Sequence, residues 1–230
     1  MARTTCKLMV GVGEHIFRLR VLSDVHQPDE GAELLGDLRA PGGEFGRLWP
    51  AARVMAEAMN DFAISGLRIL EIGCGLGLPS LVLKRRGANI TASDHHSLAQ
   101  AFLEYNAALN ELGSIDYVDV RGSEPAQDVG HFDLIIACNV VSERDLAEVI
   151  GLVMEHAAWN VELVVSDPGD GLAGPFVRKM QKIGFSFATL RPQRYGGDFR
   201  FKTRLLRFKR PLEFLGDPMP QWSISPAAAM

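Results

Sequence analysis

Cysteine is scarce in this chain of 230 residues: Cys6, Cys74 and Cys138, with no C-x-x-C spacing among them. That excludes a disulfide framework and a structural zinc site, and it predicts a reducing, cytoplasmic compartment. Long apolar runs are absent too. None approaches the ~18 residues that cross a bilayer, so no membrane partner is expected. The opening MARTTCKLMVGVGEHIF lacks an adequate hydrophobic stretch and a small-residue cleavage site, which predicts no signal peptide. There is no repeat, no low-complexity tract and little charge excess, 24 Lys+Arg against 28 Asp+Glu. What is present is ordinary for a globular protein, 47% apolar and 23% charged residues. A chain this long buries roughly 70% of its unfolded surface and needs no metal or disulfide to hold a core. Its charge is uneven. Residues 191–210 carry eight basic residues and one acid, Asp198, which is +7 and leaves −11 elsewhere in a chain of net charge −4.

The patterning predicts an N-terminal β-hairpin extension over residues 1–43, a main domain over 44–210 and an irregular tail over 211–230. Lys7–Val12 and His15–Val25 read as paired strands. Gly11 and Gly13 supply the turn, and Ile16, Arg18, Arg20 and Leu22 alternate on one side. A helix from Pro50 to Phe62 carries a stripe of Leu48, Ala52, Met55, Met59 and Phe62. Then strands and helices alternate. Strands are predicted at Leu67–Ile72, Asn89–Asp94, Ile115–Val120, Phe132–Val140 and Val161–Ser166. Between them lie a helix Leu78–Arg86, one capped by Ser97, and Glu143–Ala157 capped by Ser142; Pro175 opens a further helix. The end breaks this rhythm, because no helix separates the strand-like runs Ser186–Leu190 and Phe199–Phe208. A hairpin between them makes an antiparallel pair. The expected fold is therefore α/β, a doubly wound, Rossmann-like mixed sheet of seven strands whose last strand is antiparallel.

In such a sheet the ligand lies at the carboxyl ends of the strands. The loop after the first sheet strand is Glu71-Ile72-Gly73-Cys74-Gly75-Leu76-Gly77, and Asp94 ends the next strand. A carboxylate there can accept both hydroxyls of a ribose. A dinucleotide site and an S-adenosylmethionine site share these features. The glycine spacing favours the second. Leu78 stands where G-x-G-x-x-G needs its third glycine, and Ser80 is a poor substitute in the alternative frame. Glu71 would repel a pyrophosphate but suits the ammonium of a methionine moiety.

With these residues in place the sequence resembles the class I S-adenosylmethionine-dependent methyltransferases over about residues 44–210. More narrowly it is similar to the seven-strand protein-lysine methyltransferases. Leu48-Trp49-Pro50-Ala51-Ala52 matches their "LWPAA", and Asp94-His95-His96 through Phe102-Leu103, Asn106 and Asn110 matches their "D-x-H-P…FL..N..LN". Phe132–Ile136 matches their fourth strand and Asp167-Pro168-Gly169 a "DPG" turn of bacterial relatives. The resemblance implies S-adenosylmethionine held by Trp49, Glu71, Gly73, Cys74, Gly75, Gly77, Asp94, His95 and Asn139, with Arg121 near the adenine. It implies methyl transfer to a protein lysine.

The departures bear on the acceptor. Where the family has D-x-x-Y/F after the fourth strand, this chain has Asn139-Val140-Val141-Ser142, and Val120 replaces a common tryptophan. Asn139 brings a hydrogen-bond acceptor without charge, and Glu143 is the nearest carboxylate. These two are the candidate catalytic residues. A nucleic-acid or small-molecule amine acceptor, or a non-catalytic cofactor-binding protein, stays as the alternative. His95 and His96 are neighbours that point apart, so no metal is expected. Cys74 reads as a small loop-filling residue rather than a reactive thiol. The basic run near the end is explained as well by a charged edge strand as by a nucleic-acid partner, and a protein substrate is favoured.

Overall fold

The structure, a computed structural model, describes residues 4–23, 45–119, 129–138, 143–167, 173–190 and 203–210. The N-terminal hairpin is its own two-stranded sheet, β1 (Thr5–Val12) with β2 (His15–Leu22). Gly13, at φ 56°, takes the first position of a two-residue turn that demands this conformation. Gly11 is not part of the turn; it lies inside β1 opposite Ile16. Phe17, Leu19 and Val21 face the core while Ile16, Arg18 and Arg20 face outward. Leu22 falls on the outward side of that alternation yet is buried, because the backbone of Gly46 closes over it and accepts its N–H at 2.9 Å.

The main sheet has seven strands. They are β3 (Arg68–Ile72), β4 (Asn89–Ser93), β5 (Asp116–Tyr117), β6 (Phe132–Ala137), β7 (Ala157–Asp167), β8 (Ser186–Leu190) and β9 (Arg204–Lys209). Their order is β5-β4-β3-β6-β7-β9-β8. Neighbours from β5 to β7 are parallel, and β9 is antiparallel to both β7 and β8. This is the expected doubly wound mixed sheet. Helices α1 (Pro50–Asp61), α2 (Leu78–Arg85) and α3 (Ala99–Leu109) share one core with the hairpin. Helices α4 (Glu143–His156) and α5 (Ala173–Lys182) cover the opposite face around Phe176, Met180 and Phe208. Strand order reverses between β3 and β6, so a crevice opens at their carboxyl ends.

Among the boundaries that differ from expectation, four have a reason visible in the contacts. Ser97 does not cap α3. Asp94 accepts the His96 N–H, the His96 carbonyl takes the Ala99 N–H, and the helix starts one residue later behind Leu98. β5 is two residues instead of six, since an edge strand has one partner and the Tyr117 hydroxyl turns aside to the Asp94 carbonyl. α4 stops at His156 and β7 begins at Ala157, where its register with β6 slips between Phe132 and Leu134. α5 starts at Ala173, with Pro175 inside the first turn, where its missing N–H leaves no bond unmade. Among the described residues no helix is long and apolar enough to cross a membrane.

Candidate cofactor site

The site grows from the turn between β3 and α2. Gly73, Gly75 and Gly77 all have positive φ, at 70°, 54° and 82°. Gly77 has the strictest need: its φ of 82° is one L side chains rarely adopt, and a Cβ there would stand 2.3 Å from Leu103 Cδ1, so α3 would have to give way. The turn is closed by two backbone bonds, Cys74 N–H to Ser93 O at 2.9 Å and Gly77 N–H to Cys74 O at 2.8 Å. Gly75 N–H donates to Asp94 Oδ2 and His96 N–H to Asp94 Oδ1, each at 2.8 Å. Asp94 thus ties the two strand ends together, and each of its oxygens keeps a second lone pair for a hydroxyl.

Glu71 is wholly buried, on the β3 face that looks toward α2. The Ser80 hydroxyl and the Ser80 backbone N–H both bond to it. Gly77, at the head of α2, has no side chain to cap the helix, and Glu71 does this from the preceding strand. Only Oε2 is engaged by the hydroxyl; Oε1 is buried with no hydrogen-bond partner. Burial pushes the Glu71 carboxyl up to about 8, with Asp94 adding to the rise and the bonds from Ser80 opposing it. A buried, partnerless carboxylate oxygen beside a glycine turn calls for a cation. A primary ammonium fits it, and a pyrophosphate does not.

The other expected residues fall around this centre. Trp49 is half-buried at the head of α1, with the Arg47 guanidinium 4.8 Å from its ring centroid. His95 is mostly exposed, with Nδ1 3.5 Å from Asp94 Oδ1. His96 turns the other way and stacks on Phe45, ring centroids 4.0 Å apart and planes within 1°. No group of three metal-ligating side chains occurs among the described residues. Cys74 is buried, and burial first, then Glu71 and Asp94, hold its thiol well above the usual range, as they would for an inert packing residue. Arg121 and Asn139 lie outside the described residues. Glu143 opens α4, and its side chain is likewise outside them.

Two buried amides complete the site. Asn106 Oδ1 accepts the Arg20 N–H of β2 at 2.6 Å, and its Nδ2 donates to Leu76 O of the glycine turn at 2.9 Å. Asn110 Oδ1 accepts the Arg18 N–H at 2.8 Å, and its Nδ2 returns a bond to Arg18 O at 2.7 Å. One helical turn, from Asn106 in α3 to Asn110 at its C-terminal cap, thus matches two residues of β2. The signal was present as two asparagines four apart on an otherwise apolar helix face. The expected charged edge strand is not an edge, because β9 is paired on both sides and β8 holds the edge; the basic stripe of β9 is instead largely explained by ion pairs, Arg207 and Lys209 with Glu162 and Arg204 with Asp167.

Comparison with known proteins agrees with this geometry. Residues 70–150 match a family described as a methyltransferase domain. The ribosomal protein L11 methyltransferase of Synechococcus sp. is 36% identical over 122 residues, 50% of this chain and 40% of that one. The electron transfer flavoprotein beta subunit lysine methyltransferase of Rattus norvegicus is 27% identical over 126 residues, 53% and 49% of the two chains. The chain therefore spans less than half the length of these curated relatives. Among solved structures, a T. thermophilus 16S rRNA N2 methyltransferase in complex with AdoMet and guanosine superposes with TM-score 0.64 at 15% identity, covering 90% of this chain and 51% of that one. The ribosomal protein L11 methylase of Lactobacillus delbrueckii subsp. bulgaricus gives 0.55 at 21% identity, covering 71% and 83%. The chain has the fold of the class I S-adenosylmethionine-dependent methyltransferases, and S-adenosylmethionine is the cofactor its glycine turn fits.

Proposed function

We propose that this chain, built on the class I methyltransferase fold, transfers a methyl group from S-adenosylmethionine to a lysine side chain of a protein. The observation that carries the cofactor half is Glu71, whose buried Oε1 has no partner within the protein. The lysine half is supported by relatives whose names place their acceptors on proteins, one of them on lysine.

In this reading Glu71 holds the methionine ammonium, Asp94 holds the ribose, and the backbone of Gly73–Gly77 lets the ligand approach closely. Trp49 and His95 form the rim, and Arg121 lies toward the adenine. Asn139 and Glu143 face the acceptor. When bound, the cofactor supplies a methyl carbon on a positively charged sulfur: the acceptor nitrogen's lone pair forms the new C–N bond while the C–S pair stays on sulfur. The acceptor must arrive neutral, its proton given to water, and the protein's work is to align it and to stabilise the positive charge that grows on nitrogen.

Tritium-labelled methyl transfer to extract from a strain lacking this chain tests the proposal. A labelled protein yielding methyl-lysine on hydrolysis is the expected result. Label in nucleic acid, in small molecules, or nowhere would overturn it.

A further inference from the structure

The N-terminal hairpin has two edges, and only one of them is closed. Along β2, Asn106 and Asn110 bond the backbone of Arg20 and Arg18, which blunts that edge with side chains. Along β1 no hydrogen bond beyond those to β2 is made among the described residues. The eight residues of β1 contain no proline and no bulge, and Lys7 is their one charge. The usual devices that keep an exposed edge from pairing are therefore nearly absent. The start of the strand also stands clear of the body: Cys6, on the inward side of the alternation, is exposed, and Leu8 is only half-buried.

The outward face beside that edge is basic and apolar. Lys7 stands directly across from Arg20 and Met9 across from Arg18, with Ile16 toward the turn; Met9 and Ile16 are 65% and 61% exposed. Like charges set opposite each other on a strand pair oppose its formation. Arg20 is relieved by lying over the rings of Phe102 and Tyr105, at 5.0 and 4.8 Å. Lys7 and Arg18 are exposed, with no ion pair among the described residues. Open backbone groups call for a polypeptide strand, since a nucleic acid has no matching row of N–H and C=O groups, and the cations call for acids on it. Contacts lead from here to the cofactor turn. Arg20 lies on Phe102, Phe102 meets Phe45 edge-on at 5.2 Å, Phe45 stacks on His96, and Asp94 holds the His96 N–H.

We propose that the free edge of β1 docks an extended, acidic segment of the protein acceptor as a third strand of the hairpin sheet. This rests on the protein-acceptor reading above. Main-chain bonds along β1 hold the segment. Its carboxylates lie one strand spacing, about 5 Å, from Lys7 and about 10 Å from the backbone of Arg18 and Arg20, which their long side chains span. Apolar residues of the segment cover Met9.

The test uses the full chain and the blocked peptide acetyl-Glu-Val-Glu-Val-Glu-Val-Glu-Val-amide, whose eight residues match the length of β1. The peptide is expected to bind, to slow exchange of the outward amides of Thr5–Val12, and to compete with the protein acceptor in the labelling assay. The double variant Lys7→Glu, Arg18→Glu is expected to weaken peptide binding and raise the acceptor KM, each by at least about tenfold, with kcat and S-adenosylhomocysteine affinity within about twofold. If that variant fails to fold, Lys7→Gln with Arg18→Gln takes its place, with at least about threefold expected in both. No binding, binding without slower exchange in β1, equal affinity for the peptide with lysine in place of glutamate, or displacement of the peptide by an oligouridylate overturns the proposal. Wild type that labels no protein refutes the protein-acceptor reading itself; wild type that labels a protein whose KM the double variant leaves unchanged refutes docking at β1 alone.

Discussion

Replacing Glu71 by glutamine should separate folding from binding, with a pH signature of calculable size. The carboxyl sits at about 8 in the folded protein against 4.5 for the ordinary group, chiefly through burial. Between those values the folded chain holds a proton at this site that the unfolded chain has released. Stability contributed by Glu71 is therefore fully present below pH 4.5 and is lost as pH rises to 8. At about 1.4 kcal/mol per pH unit, the loss from pH 5.5 to pH 8 is at most about 3 kcal/mol. Glutamine is nearly isosteric, keeps an oxygen for the Ser80 bonds and does not titrate. The cofactor-free variant should therefore gain on wild type as pH rises, by up to roughly 6–12 °C of Tm between pH 5.5 and 8 at 2–4 °C per kcal/mol. The same variant should bind S-adenosylhomocysteine, which carries the methionine ammonium, at least about tenfold more weakly at pH 8, since that ammonium loses its charged partner. Thermal melts across pH and calorimetry read both effects. A variant Tm that, taken relative to wild type, stays constant or falls as pH rises would refute the reasoning about burial. Unchanged affinity would remove Glu71 from the cofactor site.

Two further outcomes follow from named contacts. Asp94→Ala strips the Gly75 and His96 N–H groups of their acceptor as well as the ribose of its partner; calorimetry should show binding weaker by roughly 1.5–3 kcal/mol, and unchanged affinity would contradict the assignment. Asn106→Ala leaves the Arg20 N–H and the Leu76 carbonyl unbonded, so Tm should fall and amide exchange should quicken in both β2 and residues 73–77; exchange confined to β2 would show that the two are not coupled.

Much of this molecule was legible because its signals are local. Alternation of apolar strands with helices, then two strands with no helix between them, implied seven strands with an antiparallel last member. Gly73–Gly77, Glu71 and Asp94 pointed to the cofactor through residue type alone. What was hidden depends on which of several competing contacts wins, most of them with partners distant in sequence. Ser97 satisfied every local capping rule and lost because Asp94 had already turned the backbone. The trans cap that Glu71 gives α2 needs β3 and α2 side by side. The basic run read in isolation as a charged edge or a nucleic-acid surface, and the acids that absorb its last strand lie about 40 residues earlier, at Asp167 and Glu162, separated from their arginines by 37 and 45 positions.

The pairing of β2 with α3 also sets an order of events during synthesis. Arg20 and Asn106 are 86 residues apart, and Arg18 and Asn110 are 92 apart. A two-stranded hairpin is at best marginal in water by itself. At 5–20 residues per second, the hairpin leaves the ribosome on the order of 5–20 s before its asparagine clips exist. Throughout that interval Phe17, Leu19 and Val21, all fully buried at the end, lack the α3 part of the core they share with α1 and α2. The nascent chain is then most open to aggregation or to a holding chaperone, and docking of α3 closes that window.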